Sequence, residues 1–234
     1  LAIIYKEIGK YRESESFFVK AIDLNPKDNK LKTDFLTLLS DYNSEIIPLH
    51  ELVIINNEFR TIKLPNEKDS FIKDQDVITI YEKGLDIYNR NKLDLYTDRL
   101  QIYRTNDDNL NCKRHLLLFN KHKIIPEFCF GCYKVQLETR SILDLIKIYI
   151  VFNYLKLENN NTRKCMIECR SKIQGFYKGL IYCYGLKDAF QVSDKLKLNI
   201  NNNINIDLLP KVKRGCSEYS LEYPQYNEIN KNGI

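Results

Sequence analysis

The sequence predicts an α+β protein, with an N-terminal helical hairpin followed by a β-α-β-β-α-β sandwich. The hairpin follows from apolar residues at helical spacing, Leu1, Ile4, Tyr5 and Ile8 and then Phe17, Phe18, Ala21 and Ile22, around Gly9-Lys10. The sandwich follows from strict alternation of Cys165, Ile167 and Cys169 with Lys164, Met166, Glu168 and Arg170, and from the order of elements after residue 128. At 234 residues, with 44% hydrophobic and 29% charged side chains, the chain is long enough for one large core or two small ones. The net charge of +5 is too small to nominate an anionic partner.

Along residues 1–26, Leu1, Ala2, Tyr5, Ser14, Phe18, Ala21 and Pro26 fall in one register, with Gly9 and Tyr11 at the turn. This pattern resembles the tetratricopeptide repeat, with Ser14 where that repeat usually has alanine and without its opening aromatic turn. The segment 31–42 reads as the first helix of a following repeat or as a solvating cap, and because one repeat cannot bury its own apolar face, upstream repeats are expected. The resemblance implies a scaffold that holds a protein partner in a concave groove.

Residues 46–69 are irregular and read as a connection, the apolar run 52–55 being its candidate strand. Helical spacing returns at 75–90 through Val77, Ile80, Tyr81, Leu85 and Tyr88, and 93–103 is expected to continue it as a helical bridge. The expected organisation is a helical repeat at 1–45, the connection and bridge at 46–110, an α+β domain at 111–220 and a tail at 221–234.

Within the α+β domain, 128–138 is a strand, and 141–155 is a helix opened by Ser141 with Asp144 three residues later. Strands are expected at 163–170 and 176–184, a helix at 186–198, an Asn-rich loop at 199–205 and a last strand at 211–218. The order β-α-β-β-α-β is similar to the ferredoxin-like arrangement, which implies a four-stranded antiparallel sheet with both helices on one face. With Val135, Leu137, Ile167, Ile181 and Cys183 inward, the other face carries Lys134, Gln136, Lys164, Met166, Arg170, Lys178, Leu180 and Tyr182. Lys178-Gly179-Leu180-Ile181-Tyr182, followed by Lys187-Asp188-Ala189, resembles the third strand and helix of an RNA-recognition motif. In that reading Lys134, Lys164, Arg170, Lys178 and Tyr182 form an RNA platform; in the other, this is an ordinary solvated or covered sheet face.

The chemistry-bearing pattern is Cys112-Lys113-Arg114-His115, then thirteen residues, then Cys129-Phe130-Gly131-Cys132. Paired soft donors at such spacing suit tetrahedral zinc, and Cys112, His115, Cys129 and Cys132 would fill all four positions, making the metal structural. Lys113 and Arg114 would offset the thiolate charge. Inert packing of Cys129 and a redox dithiol at Cys129 and Cys132 stay open. Cys165, Cys169 and Cys183 read as packing or as donors to a second metal or iron–sulfur site. Cys216, in Arg214-Gly215-Cys216, is a candidate nucleophile only if a base accompanies it, and neither His50 nor His122 is predictably near. Asp107-Asp108 reads as a turn.

Seven cysteines without disulfide-scaffold spacing fit reduced thiols in a cytoplasm. The densest apolar run, 142–152, carries Asp144 and Lys147 and falls short of the roughly 18–20 residues that span a bilayer. No phosphate-binding loop, dinucleotide fingerprint, nucleophile elbow or H-E-x-x-H occurs. The expected work is therefore non-catalytic binding, with a protein partner through the repeat and a zinc-stabilised α+β domain. RNA binding and a thiol- or metal-dependent enzyme are the alternatives.

Overall fold

The computed structural model describes residues 1–66, 71–96, 100–104, 112–204 and 208–229. Contacts divide the chain into two units, Leu1–Leu64 with Ile78–Arg99, and Pro65–Val77 with Leu100–Ile234. The protein is α+β, with one five-stranded antiparallel sheet.

The first unit is helical. Helices α1 (Ala2–Glu7), α2 (Tyr11–Leu24), α3 (Asn29–Asp41) and α4 (Glu51–Arg60) pack each on the next, and the greater part of α5 (Asp74–Arg90) belongs to the same unit. Gly9, at φ 75°, makes the turn between α1 and α2. Ser14 is fully buried, and its hydroxyl donates to the Ala2 carbonyl at 2.8 Å, so this serine ties the hairpin together. Asp28 caps α3 by accepting from Leu31 N at 2.9 Å. The core is Phe18, Ile22, Phe35, Leu38, Leu39, Leu52, Val53, Ile55 and Ile87, with Phe18 and Phe35 stacked at 5.6 Å.

The candidate strand at 52–55 is instead the first half of α4. Leu52, Val53, Ile55 and Phe59 recur at helical spacing towards that core, and His50 Nδ1 accepts from Leu52 N at 3.2 Å as the cap.

The second unit is built on β1 (Gln101–Arg104), β2 (Cys132–Thr139), β3 (Arg163–Ile167), β4 (Tyr177–Tyr184) and β5 (Lys211–Arg214), in the order β1-β3-β4-β2-β5. Helix α6 (Cys112–His122) precedes a 3-10 turn (Glu127–Phe130) that leads into β2. Helix α7 (Ile142–Tyr154) follows β2, α8 (Gly185–Asn203) follows β4, and α9 (Ser217–Glu222) follows β5. Ser141 caps α7 by accepting from Asp144 N at 3.1 Å, as its spacing predicts.

The bridge expected to stay helical through 103 ends in β1, a fifth strand that pairs with β3 through Ile102↔Cys165 and Arg104↔Arg163. Four extended residues are too few to announce a strand without that partner. The strand expected from 128 begins only at Cys132, because 127–130 form the 3-10 turn, and the strand expected through 170 ends at Ile167. The last strand stops at Arg214, where Gly215 turns at φ 48°, and 217–222 are helical. The Asn-rich loop is partly absorbed into α8, which runs through Asn203. Past 221, a second 3-10 turn (Pro224–Asn227) carries the fully buried Tyr226.

Helix α7 packs on β3 and β4, α8 packs on β2, β4 and β5, and the two helices touch. A Cβ at Gly179 would lie 2.7 Å from Ile148 Cγ2, so this sheet face approaches α7 closely. Alternation puts Val135, Leu137, Cys165, Ile181 and Cys183 on the same face, and all are buried. Residues 71–77 join this unit through Ile72 N, which donates to Asn203 O at 2.8 Å, and through Asp74, 2.6 Å from the buried Lys147 ammonium. Among the described residues no helix is long and apolar enough to cross a membrane.

Candidate metal centre

Cys112 opens α6 and His115 lies one turn later on the same side, an i,i+3 pair. Phe119, one turn further, is the buried residue that docks the helix. The 3-10 turn brings in Cys129, which is 5% exposed, and Cys132 is the first residue of β2. Cys129 Sγ lies 3.5 Å from His115 Nδ1 and 3.5 Å from Tyr219 Oη. Tyr226 Oη donates to the Cys129 carbonyl at 2.5 Å, fixing the turn from below. Phe119, Cys129, Tyr219 and Tyr226 form one buried cluster, with Leu116, Phe130 and Cys216 against it.

Burial pushes the Cys132 thiol up to about 11, and charge on Cys112 and Cys129 pushes it the same way. Burial raises Cys112 and Cys129 as well, and in Cys129 the Tyr219 hydroxyl opposes the rise. The Cys216 thiol is pushed up to about 12, chiefly by burial, with Lys134 pulling it down and Cys132 and Cys112 adding to the rise. Cysteine nucleophiles work as low-pKa thiolates, and these groups are moved in the opposite direction.

Two donors bound to one tetrahedral zinc, at roughly 2.3 Å for sulfur and 2.0–2.1 Å for nitrogen, stand about 3.5 Å apart. The Cys129–His115 separation of 3.5 Å matches that edge. Among the described residues, no three His, Cys, Asp or Glu side chains are drawn into a single coordination sphere. The donors are neighbours without being closed around a point.

Cys216 is the member that the spacing pattern omits. It comes from the other end of the chain through the β2–β5 ladder, whose last rung is Tyr133↔Arg214, and Gly215 N–H donates to Cys132 O at 2.8 Å. Its only sequence signal is a thiol directly after a glycine at a strand end.

Of the expected RNA-platform residues, Lys134, Lys164, Lys178 and Tyr182 share the sheet face opposite Gly179, and Arg170 lies beyond the end of β3. Lys134 and Lys178 are 7% and 3% exposed. Lys178 Nζ pairs with the buried Glu168 at 3.4 Å, and Arg170 is bonded to Glu168 and Glu218. Tyr182 is half-buried opposite Lys134, and Lys164 Nζ lies 5.2 Å from the Tyr103 ring. Ser217 and Glu218 of α9 reach this face through Lys134 and Arg170.

Cys165 and Cys183 pack on the opposite, helix-covered face, whereas Cys169 lies beyond β3 and is exposed. Asp107 and Asp108 lie outside the described residues. No protein-family model matches the chain, and no curated protein or solved structure matches it either.

Proposed function

We propose that the chain is a non-catalytic binding protein whose sheet unit is pinned by a structural zinc ion. The metal would be held by the sulfurs of Cys112, Cys129 and Cys132 and by a fourth donor close by, for which the sequence nominates His115. The observation that carries this reading is the meeting of ligating side chains from several elements at the buried Cys129, whose Sγ lies 3.5 Å from His115 Nδ1 and whose cluster takes in Cys216. Four protein donors leave no open position for substrate or a catalytic water, so the ion's work is to tie α6 to β2.

The strand order β3-β4-β2-β5, with α7 and α8 as the crossovers, supports a ferredoxin-like arrangement with β1 added at one edge. The sequential packing of α1 to α4 and the buried Ser14 support a tetratricopeptide-like hairpin, and with it recruitment of a protein partner.

Metal analysis of the purified protein tests the zinc reading, alongside Cys112→Ser and Cys132→Ser. About one zinc per chain, lost together with the fold in both variants, is the expected result. Protein that folds without metal, or that carries iron with visible absorbance, overturns it.

A further inference from the structure

A structural zinc takes four donors, and five metal-ligating side chains stand at this end of the sheet. Cys112, His115, Cys129 and Cys132 come from the spacing pattern. Cys216 is brought in by the β2–β5 pairing, directly after Gly215, whose N–H is bonded to Cys132 O at 2.8 Å. It packs against the cluster that contains Cys129, Tyr219 and Tyr226. The turn that aims it is fixed, because a Cβ at Gly215 would fall 2.0 Å from Tyr226 Oη.

Lys134 is an independent observation. Its ammonium is buried, and among the described residues its hydrogen bond is a long one, 3.5 Å, to the neutral Ser217 hydroxyl. The nearby Glu218 carboxylate is bonded to Arg170. A buried cation that shares its carboxylate with another cation is costly. Lys134 follows Cys132 by two residues on β2 and pairs with Lys213 of β5, the strand that leads to Cys216. As metal-bound thiolates, Cys132 and Cys216 would supply further negative charge.

We propose that Cys216 is the fourth ligand, so that Cys112, Cys129, Cys132 and Cys216 hold the metal and His115 braces the Cys129 sulfur from outside the shell. The proposal rests on the zinc reading above and names its fourth donor. His115 touches the group through Cys129, whereas Cys216 packs against the cluster that holds Cys129 and directly follows the residue bonded to Cys132. A four-sulfur site carries net negative charge, which Lys134 would balance from the sheet side. The ion would then tie α6, β2 and the β5–α9 turn together.

Cobalt(II) is the probe, because its sulfur-to-metal absorption grows with the number of thiolates. Cys216→Ser is expected to lose about a quarter of the wild-type intensity, as one of four sulfurs. His115→Gln is expected to leave intensity and band positions unchanged. Bands that shift in His115→Gln but stay as wild type in Cys216→Ser overturn the assignment of Cys216 and leave the zinc reading standing. A wild-type chain that takes up neither cobalt nor zinc overturns both. Should Cys216→Ser not fold, iodoacetamide labelling of the wild type decides. Cys216 should be protected in the zinc form and released on chelation together with Cys112, Cys129 and Cys132. Labelling of Cys216 that chelation does not change overturns the proposal.

Discussion

Replacing Glu168 with glutamine should remove a strongly held, buried carboxylate of the sheet unit. Glu168 is 5% exposed, and Arg170 Nε and Nη2 reach its two oxygens at 2.8 Å each. Lys178 Nζ stands 3.4 Å from one of those oxygens and is itself 3% exposed. Hydrogen bonds from Arg170 are the largest cause of a carboxyl pKa lowered to about 2 from 4.5, and they outweigh the opposing effect of burial. A carboxyl so displaced contributes about 3 kcal/mol to stability at neutral pH. Because the folded pKa is depressed, that contribution is present above about pH 5 and is lost as pH falls towards 2. Glu168→Gln also leaves the Lys178 ammonium buried without its partner, so the loss at pH 7 should be about 3–5 kcal/mol. Urea unfolding from pH 7 down to pH 2 measures both effects: a lower midpoint at pH 7, and a shallower fall in acid than wild type. Removing Lys178 too, as Glu168→Gln with Lys178→Met, should recover much of the loss. A single variant as stable as wild type at pH 7, or a double variant no better than the single, refutes the argument.

Gly179→Ala would set a Cβ 2.7 Å from Ile148 Cγ2 and 3.1 Å from Phe152 Cζ. It should cost about 1–3 kcal/mol by overpacking, read as a fall of several degrees in the thermal midpoint of the sheet unit. Tyr226→Phe removes the donor to the buried Cys129 carbonyl and should cost about 1–3 kcal/mol in urea unfolding. An unchanged midpoint in either variant would show that the site relaxes.

Elements were legible where a local pattern carried them. Ser141 with Asp144, the apolar length of α7 and the alternation in β2 and β4 each state their element within a few residues. What escaped needed a distant partner. β1 exists by pairing with β3, and four residues between helices carry too little periodicity to reveal it. α4 was hidden because Leu52, Val53 and Ile55 are compatible with either period, and only the core containing Phe35 and Leu38 decides. The candidate site divides in the same way. Cys112 with His115 and Cys129 with Cys132 are local pairs, and spacing found them. Cys216 reaches them only through the β2–β5 register. The basic sheet face looked free because sequence gives sign but not pairing, and Glu168 and Glu218 engage two of its cations.

The second face of the sheet explains why a metal would be useful at this position. Its centre holds Lys134, Gln136 and Lys178, buried polar groups that contribute little apolar area. The segments beside it are short: α9 spans Ser217–Glu222 and β5 spans Lys211–Arg214. Helices of this length do not hold themselves in water, and the apolar support on offer is Phe119, Cys129, Tyr219 and Tyr226. Small cores of that kind are commonly completed by a covalent or metal staple. A metal at the cysteine cluster would cross-link α6, β2 and the β5–α9 turn around that small core. On this argument, chelation should loosen α6 and α9 before the α7–α8 face. Amide exchange would then rise first around Phe119 and Tyr219, while Ile148 and Leu196 stay protected. Uniform exchange across both faces would place the stabilising work elsewhere.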